Sequence, residues 1–123
     1  MPTMPKRLRP AGARSKVQVR REQDERRGSA ASRGYDGRWA KASASFRRRC
    51  PLCEYCALNG RVEPATLTDH LYPHRVYDDV FWITDWWVAS CAACHSGMKQ
   101  GVERAGKAAI DGLALRLGRP TLP

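Results

Sequence analysis

Two Cys-x-x-Cys pairs, Cys53/Cys56 and Cys91/Cys94, enclose an Asp69-His70 doublet, and the second pair runs directly into His95. Four thiols in two such pairs suit one structural Zn2+ in tetrahedral geometry, each pair supplying two sulfurs from one knuckle. Asp69, His70 and His95 form a separate oxygen and nitrogen set. Such a set prefers harder divalent cations, so the two groups need not compete for one metal. Phosphodiester hydrolysis requires a base for water, a polarised phosphate and a stabilised leaving oxygen. One hard cation held by Asp69 and His95 meets the last two needs, because Mg2+ takes few protein ligands and keeps several waters. His70 would take the proton from water. His74 contacts phosphate, orients His70 or touches the metal; its type and place allow each role.

These residues need positioning. Adjacent side chains of an extended strand point to opposite faces, so Asp69 and His70 share one site only at a strand end or bulge, which Tyr72-Pro73 permits. Residues 65–69 alternate and fit a short strand, with a second strand or extended loop returning around 74–80. Trp39, Ala42 and Phe46 fall on one face of a helix expected from Asp36 to about Arg49, with Arg38, Lys41, Arg47, Arg48 and Arg49 around the remainder. Pro51 ends that helix. Phe81, Trp82, Trp86 and Trp87 are the densest apolar mass, mostly core, with one Trp available for base stacking. A last main helix opens at Cys91 and runs to about Lys107, and 109–123 reads as an irregular C-terminal tail. Cys50-Pro51-Leu52-Cys53 repeats the metal-type spacing. Pro51 and Leu52 suit a helix exit better than a knuckle, which leaves Cys50 as a spare, half-buried thiol.

The chain has 123 residues, and its net charge of +10 is unevenly spread. Residues 1–50 hold 15 Lys/Arg against 4 Asp/Glu, and residues 51–123 hold 7 against 8. The N-terminal stretch is thus cationic and the remainder near neutral, and the expected organisation is a basic arm and linker (1–32) followed by one folded module (33–108). Within the arm, 16–27 is helix-compatible and highly charged, whereas 1–15 and 28–34 show no apolar period and read as disordered and linker segments. A polyanion, DNA or RNA, is the partner such a cationic stretch suits. No run of 18 apolar residues indicates a membrane span, and no apolar stretch follows the basic start to indicate a leader. Five reduced cysteines in a cytoplasmic setting is the expectation that follows. Aliphatic residues are scarce, so the metal is expected to contribute to folding itself.

Cys53-Glu54-Tyr55-Cys56, Pro64-Ala65-Thr66, Asp69-His70-Leu71-Tyr72-Pro73-His74, Phe81-Trp82 and Cys91-Ala92-Ala93-Cys94-His95 together resemble the phage-type HNH endonucleases. Arg33-Gly34-Tyr35 with Arg38-Trp39 looks like the helix that precedes the finger in that family. The likeness spans roughly residues 33–100. It implies a small α+β fold, a ββα-metal (His-Me finger) core with a four-cysteine zinc, and DNA cleavage or nicking with Mg2+ or another divalent ion such as Mn2+ or Ni2+. It further implies that Asp69 and His95 bind the catalytic metal and that His70 is the general base. Arg38, Lys41, Arg47, Arg48 and Lys99 then face DNA. The large terminase subunit is the implied partner in DNA packaging, and the host bacterial cytoplasm the implied location. The chain departs from the family pattern at one informative place. The middle Asn of the signature, which braces the loop holding the base His, is replaced by Trp86, and the following Gln position is Val88. Asp85 stands one residue away as a substitute brace. The departure implies an alternative: a catalytically weak or inactive zinc-stabilised module that binds DNA or terminase.

Overall fold

The computed structural model describes residues 15–27 and 33–123. Apart from their edge residues, the expected disordered stretch and linker lie outside these. The chain divides into two units, Met1–Asp36 and Gly37–Pro123.

In the first unit, helix α1 spans Lys16–Arg27. Its start is a reciprocal cap: Ser15 Oγ accepts from the Gln18 amide at 3.1 Å, and Gln18 Oε1 accepts from the Ser15 amide at 2.7 Å. Both terminal donors are thereby satisfied, which compensates for a sequence with almost no apolar face. Val17 is exposed.

The second unit is built around one antiparallel hairpin, β1 (Leu67–His70) and β2 (Trp87–Ser90). Its register pairs Leu67 with Ser90, Thr68 with Ala89, Asp69 with Val88 and His70 with Trp87. The two-residue period divides the side chains between two faces. Thr68, His70 and Trp87 face helix α2 (Gly37–Arg49), where Ser43 Oγ donates to Thr68 Oγ1 at 2.7 Å and Trp39 stacks on the His70 ring. α2 keeps the expected boundaries, and Trp39 is buried as expected.

Asp69 and Val88 face the opposite layer. Here lie α3 (Glu54–Leu58), α4 (Ala92–Ser96), α5 (Met98–Ala105) and α6 (Lys107–Arg116). Tyr55, Leu71, Tyr72, Val80, Trp86, Val88, Ile110, Leu113 and Ala114 form its core. The result is a small mixed α/β unit, a hairpin packed against α4 and α5 with the four cysteines beside β2.

Three expectations need correction. The strand returning to β1 is Trp87–Ser90, not 74–80, which forms turns, with Asp79 at φ 63°. The single helix expected from Cys91 to Lys107 is broken into α4 and α5 at Gly97 and ends at Gly106. Gly106 has φ 104°, a left-handed value that an L side chain resists, and a Cβ at Gly97 would lie 2.9 Å from the Ala93 carbonyl oxygen. The tail expected at 109–123 is part of the folded unit. Ile110, Leu113, Ala114 and Leu117 recur at i, i+3, i+4 and i+7, and this stripe docks α6 on the core.

The segment after α6 also closes the free edge of β2. Arg119 Nη2 donates to Glu54 Oε1 at 2.8 Å and to the Trp87 carbonyl at 3.1 Å, while Glu54 Oε2 accepts from the Ala89 amide at 2.8 Å. An ion pair thus takes up the outward donor and acceptor of a strand that would otherwise offer them to another chain. Glu54 lies inside the first Cys-x-x-Cys, so the same pair ties that knuckle to the hairpin.

Candidate active site

The four cysteines converge. Sγ atoms of Cys53, Cys56, Cys91 and Cys94 all lie within 4.8 Å of one another, with Cys56 3.5 Å from Cys94 and 3.8 Å from Cys91. Tetrahedral Zn2+ with bonds of ~2.3 Å sets sulfurs ~3.8 Å apart, so the cluster fits this ion. Each knuckle opens a short helix whose amide meets the first sulfur: Cys56 N to Cys53 Sγ at 3.4 Å and Cys94 N to Cys91 Sγ at 3.5 Å. The Cys94 amide pulls the Cys91 thiol down to about 7, whereas burial pushes the Cys94 and Cys56 thiols up. Thiols this close cannot all ionise without a cation among them, which is the condition a metal satisfies. Cys50 stays outside the cluster, half-buried, as its sequence context suggested.

Asp69 is buried at the centre of the inner face. Tyr55 donates to its Oδ2 at 2.6 Å, and the Lys99 ammonium lies 3.2 Å from the same oxygen. Its Oδ1 faces His95 Nε2 at 3.5 Å. Two donors bound to one ion at ~2.1 Å stand ~3.0–3.5 Å apart, so Asp69 and His95 are spaced to share a divalent cation. His95 is 44% exposed, so this flank is open to water. Burial first, then the Asp69 charge, raises Tyr55 well above the ordinary phenol range, so it remains a donor at every physiological pH.

His70 sits on the other face. Its ring stacks on Trp39 at 4.8 Å, with Phe81 at 4.5 Å and His74 at 5.0 Å. Its Nε2 lies 3.0 Å from the Phe81 carbonyl oxygen. A carbonyl only accepts, so Nε2 carries the proton and the basic nitrogen of the neutral ring is Nδ1. Burial lowers the His70 pKa to about 4, with the His74 and Lys99 charges adding to the fall and the Phe81 bond opposing it. The imidazole is therefore neutral at pH 7 and weakly basic. The strand end does not bring it to the Asp69 face. β1 is regular through His70, and regular pleating separates the doublet.

The brace across from His70 is Trp87, its ladder partner, rather than Trp86. Trp87 Nε1 donates to the same Phe81 carbonyl at 2.9 Å. Trp86 belongs to the inner layer, where its indole reaches the Pro120 carbonyl at 2.8 Å. Asp85 is exposed.

The basic residues divide. Arg38, Lys41 and Arg48 are exposed on α2. The Arg38 guanidinium lies 4.0 Å over the half-exposed Trp82 ring. Arg47 is largely committed to structure, Nη1 donating to the Thr66 carbonyl at 2.9 Å. Lys99, expected at a phosphate, is instead wholly buried in α5, so its ammonium cannot reach one. Tyr55, Lys99 and Glu103 are the inner-face residues that sequence reasoning did not place around Asp69. The signal for Tyr55 was its position inside the first knuckle. The i, i+4 pair Lys99/Glu103 reads in sequence as an ordinary solvated helix pair.

No helix among the described residues is long and apolar enough to cross a membrane. No protein-family model matches the chain, and no curated protein does. Among solved structures it is similar to the HNH endonuclease of the deep-sea thermophilic bacteriophage GVE2, determined with a manganese ion. The TM-score is 0.53 at 18% identity, over 75% of this chain and 98% of that one. Over that span the chain has the fold of that endonuclease.

Proposed function

We propose that the chain is a zinc-stabilised His-Me finger module that binds DNA and hydrolyses it weakly or not at all. The observation that carries this reading is the Trp87–His70 pair. Where the family signature has a loop-bracing Asn, an indole sharing the Phe81 carbonyl stands across from His70, and the base imidazole is packed among Trp39, Phe81 and His74 on the face away from Asp69. A base this buried resists the charge it must acquire when it takes a proton. DNA is held by α2, where Arg38, Lys41 and Arg48 supply phosphate contacts and the Arg38–Trp82 stack offers a platform for a base. The large terminase subunit is proposed as a second partner from the resemblance alone, and co-purification with it is the direct check.

A second reading has its own support: Asp69 and His95 meet at the right spacing for Mg2+ or Mn2+ beside open solvent. Such an ion, when bound, supplies a Lewis acid for phosphate and leaving oxygen. In that reading Asp69 and His95 would hold the ion, and His70, on the other face of β1, would be the proton acceptor through Nδ1.

Supercoiled plasmid incubated with Mg2+, Mn2+ or Ni2+, alongside duplex binding measured by fluorescence anisotropy, separates the two. Salt-sensitive binding with equal, trace nicking by wild type and His70→Ala supports the binding module. Nicking that His70→Ala abolishes establishes the nuclease instead.

A further inference from the structure

Lys99 is 0% exposed; its ammonium donates to the His70 carbonyl and to Glu103 Oε1, each at 3.0 Å, and is ion-paired with Asp69 Oδ2 at 3.2 Å. Burying a cation is costly unless it is paired and hydrogen-bonded, and here two carboxylates and a carbonyl surround it. One cation thereby fixes both members of the Asp69-His70 doublet, one by side chain and one by backbone. It also neutralises the carboxylate that would otherwise attract a metal. The partly buried Glu103 extends the network, with Arg75 Nη2 3.9 Å from its other oxygen.

We propose that Lys99 is a positioning residue that supplies Asp69 with the positive charge a divalent cation would bring, aims Oδ1 at His95, and holds the metal affinity of the Asp69–His95 pair low. This rests on the reading of Asp69 and His95 as a cation-binding pair. A fixed positive charge on the same carboxylate opposes an incoming cation electrostatically, and burial limits the screening that would otherwise weaken the effect. Hydrolysis would then depend on an ion recruited jointly by the protein and a bound phosphate.

The test uses the zinc-loaded, full-length chain and Mn2+ as probe, with binding followed by loss of the free-ion paramagnetic resonance signal. Lys99→Met is expected to bind Mn2+ at least roughly tenfold more tightly than wild type. Its thermal midpoint should rise with Mn2+ where that of wild type barely moves. His95→Ala in the Lys99→Met background should abolish the gain. If Lys99→Met does not fold, as judged by zinc content and circular dichroism, Lys99→Met with Glu103→Leu removes the second buried charge and is read the same way. Tightening that survives His95→Ala places the ion elsewhere and overturns the proposal. Unchanged affinity in Lys99→Met, with binding in wild type lost on His95→Ala, overturns the role of Lys99 while leaving the cation-binding pair intact. No binding by any of these proteins overturns both.

Discussion

His70 and Trp87, partners across the hairpin, donate to one acceptor: the Phe81 carbonyl oxygen lies 3.0 Å from the imidazole Nε2 and 2.9 Å from the indole Nε1. Both lone pairs of that oxygen are therefore used, and the loop between the strands is pinned to the hairpin by two rings at once. Trp87→Phe keeps most of the packing and removes one donor. It should lower stability by about 0.5–1.5 kcal/mol, read from the urea midpoint at constant m-value. A loss several-fold larger would show that Trp87 acts mainly through volume.

The depressed His70 pKa has a defined sign. An unfolded histidine takes a proton near pH 6.5, whereas the folded one resists until about 4. The stability this contributes is complete above 6.5 and is lost progressively as pH falls toward 4. Up to about 3 kcal/mol is at stake, since a tenfold change in proton affinity corresponds to ~1.4 kcal/mol. Loss of zinc at acid pH also destabilises the fold, so the informative quantity is the difference between wild type and His70→Gln. That difference should depend on pH between 6.5 and 4; a constant difference would show that the imidazole is not held neutral.

Removing zinc, or one of its ligands through Cys94→Ser, should unfold the Gly37–Pro123 unit, because both knuckles seat helices on the hairpin. Circular dichroism with metal analysis should give one zinc per folded chain and none in the variant. Cys50→Ser should keep the zinc and change stability by less than about 1 kcal/mol, as expected for a site apart from the cluster.

Arg119→Ala leaves Glu54 without its cationic partner and the Trp87 carbonyl on the outer edge of β2 without the Arg119 donor. Both groups are partly buried, and the expected cost is about 1–3 kcal/mol in thermal or urea unfolding. If the segment after α6 were a passive tail, the variant would match wild type.

Arg48→Ala or Lys41→Ala should weaken DNA binding alike across sequences and reduce the magnitude of the log K against log salt slope by about 0.9 for each phosphate no longer neutralised. Arg38→Ala is expected to cost additional affinity for single strands, because it also dismantles the stack on Trp82. Slopes equal to that of wild type in all three variants would move the DNA interface away from α2.

The sequence by itself determined the chemistry that could assemble. The Cys spacing set the zinc knuckles, the Trp39–Phe46 period set α2, and the order of Cys, Asp-His and Cys-His set which elements must meet. Local rules suffice there, since ligand pairs, helix faces and proline stops act over a few residues. The true return strand and the fate of Lys99 depended on the tertiary structure. Trp87–Ser90 pairs with Leu67–His70 as β2, and that pairing sets Asp69 against the core helices and His70 against the aromatic residues of α2 and the following loop. Lys99 is an unremarkable helical lysine until α5 packs on that inner face. Burial then leaves its ammonium no partners but Asp69, Glu103 and the His70 carbonyl. α6 falls between these cases: its apolar period is present in the sequence, but Gly106, Gly112 and Gly118 obscure it until the core supplies a surface for Ile110, Leu113 and Ala114 to cover. Residue spacing specifies which ligands and faces exist, whereas strand pairing and burial decide which of them share a side of the sheet and which charges must find each other.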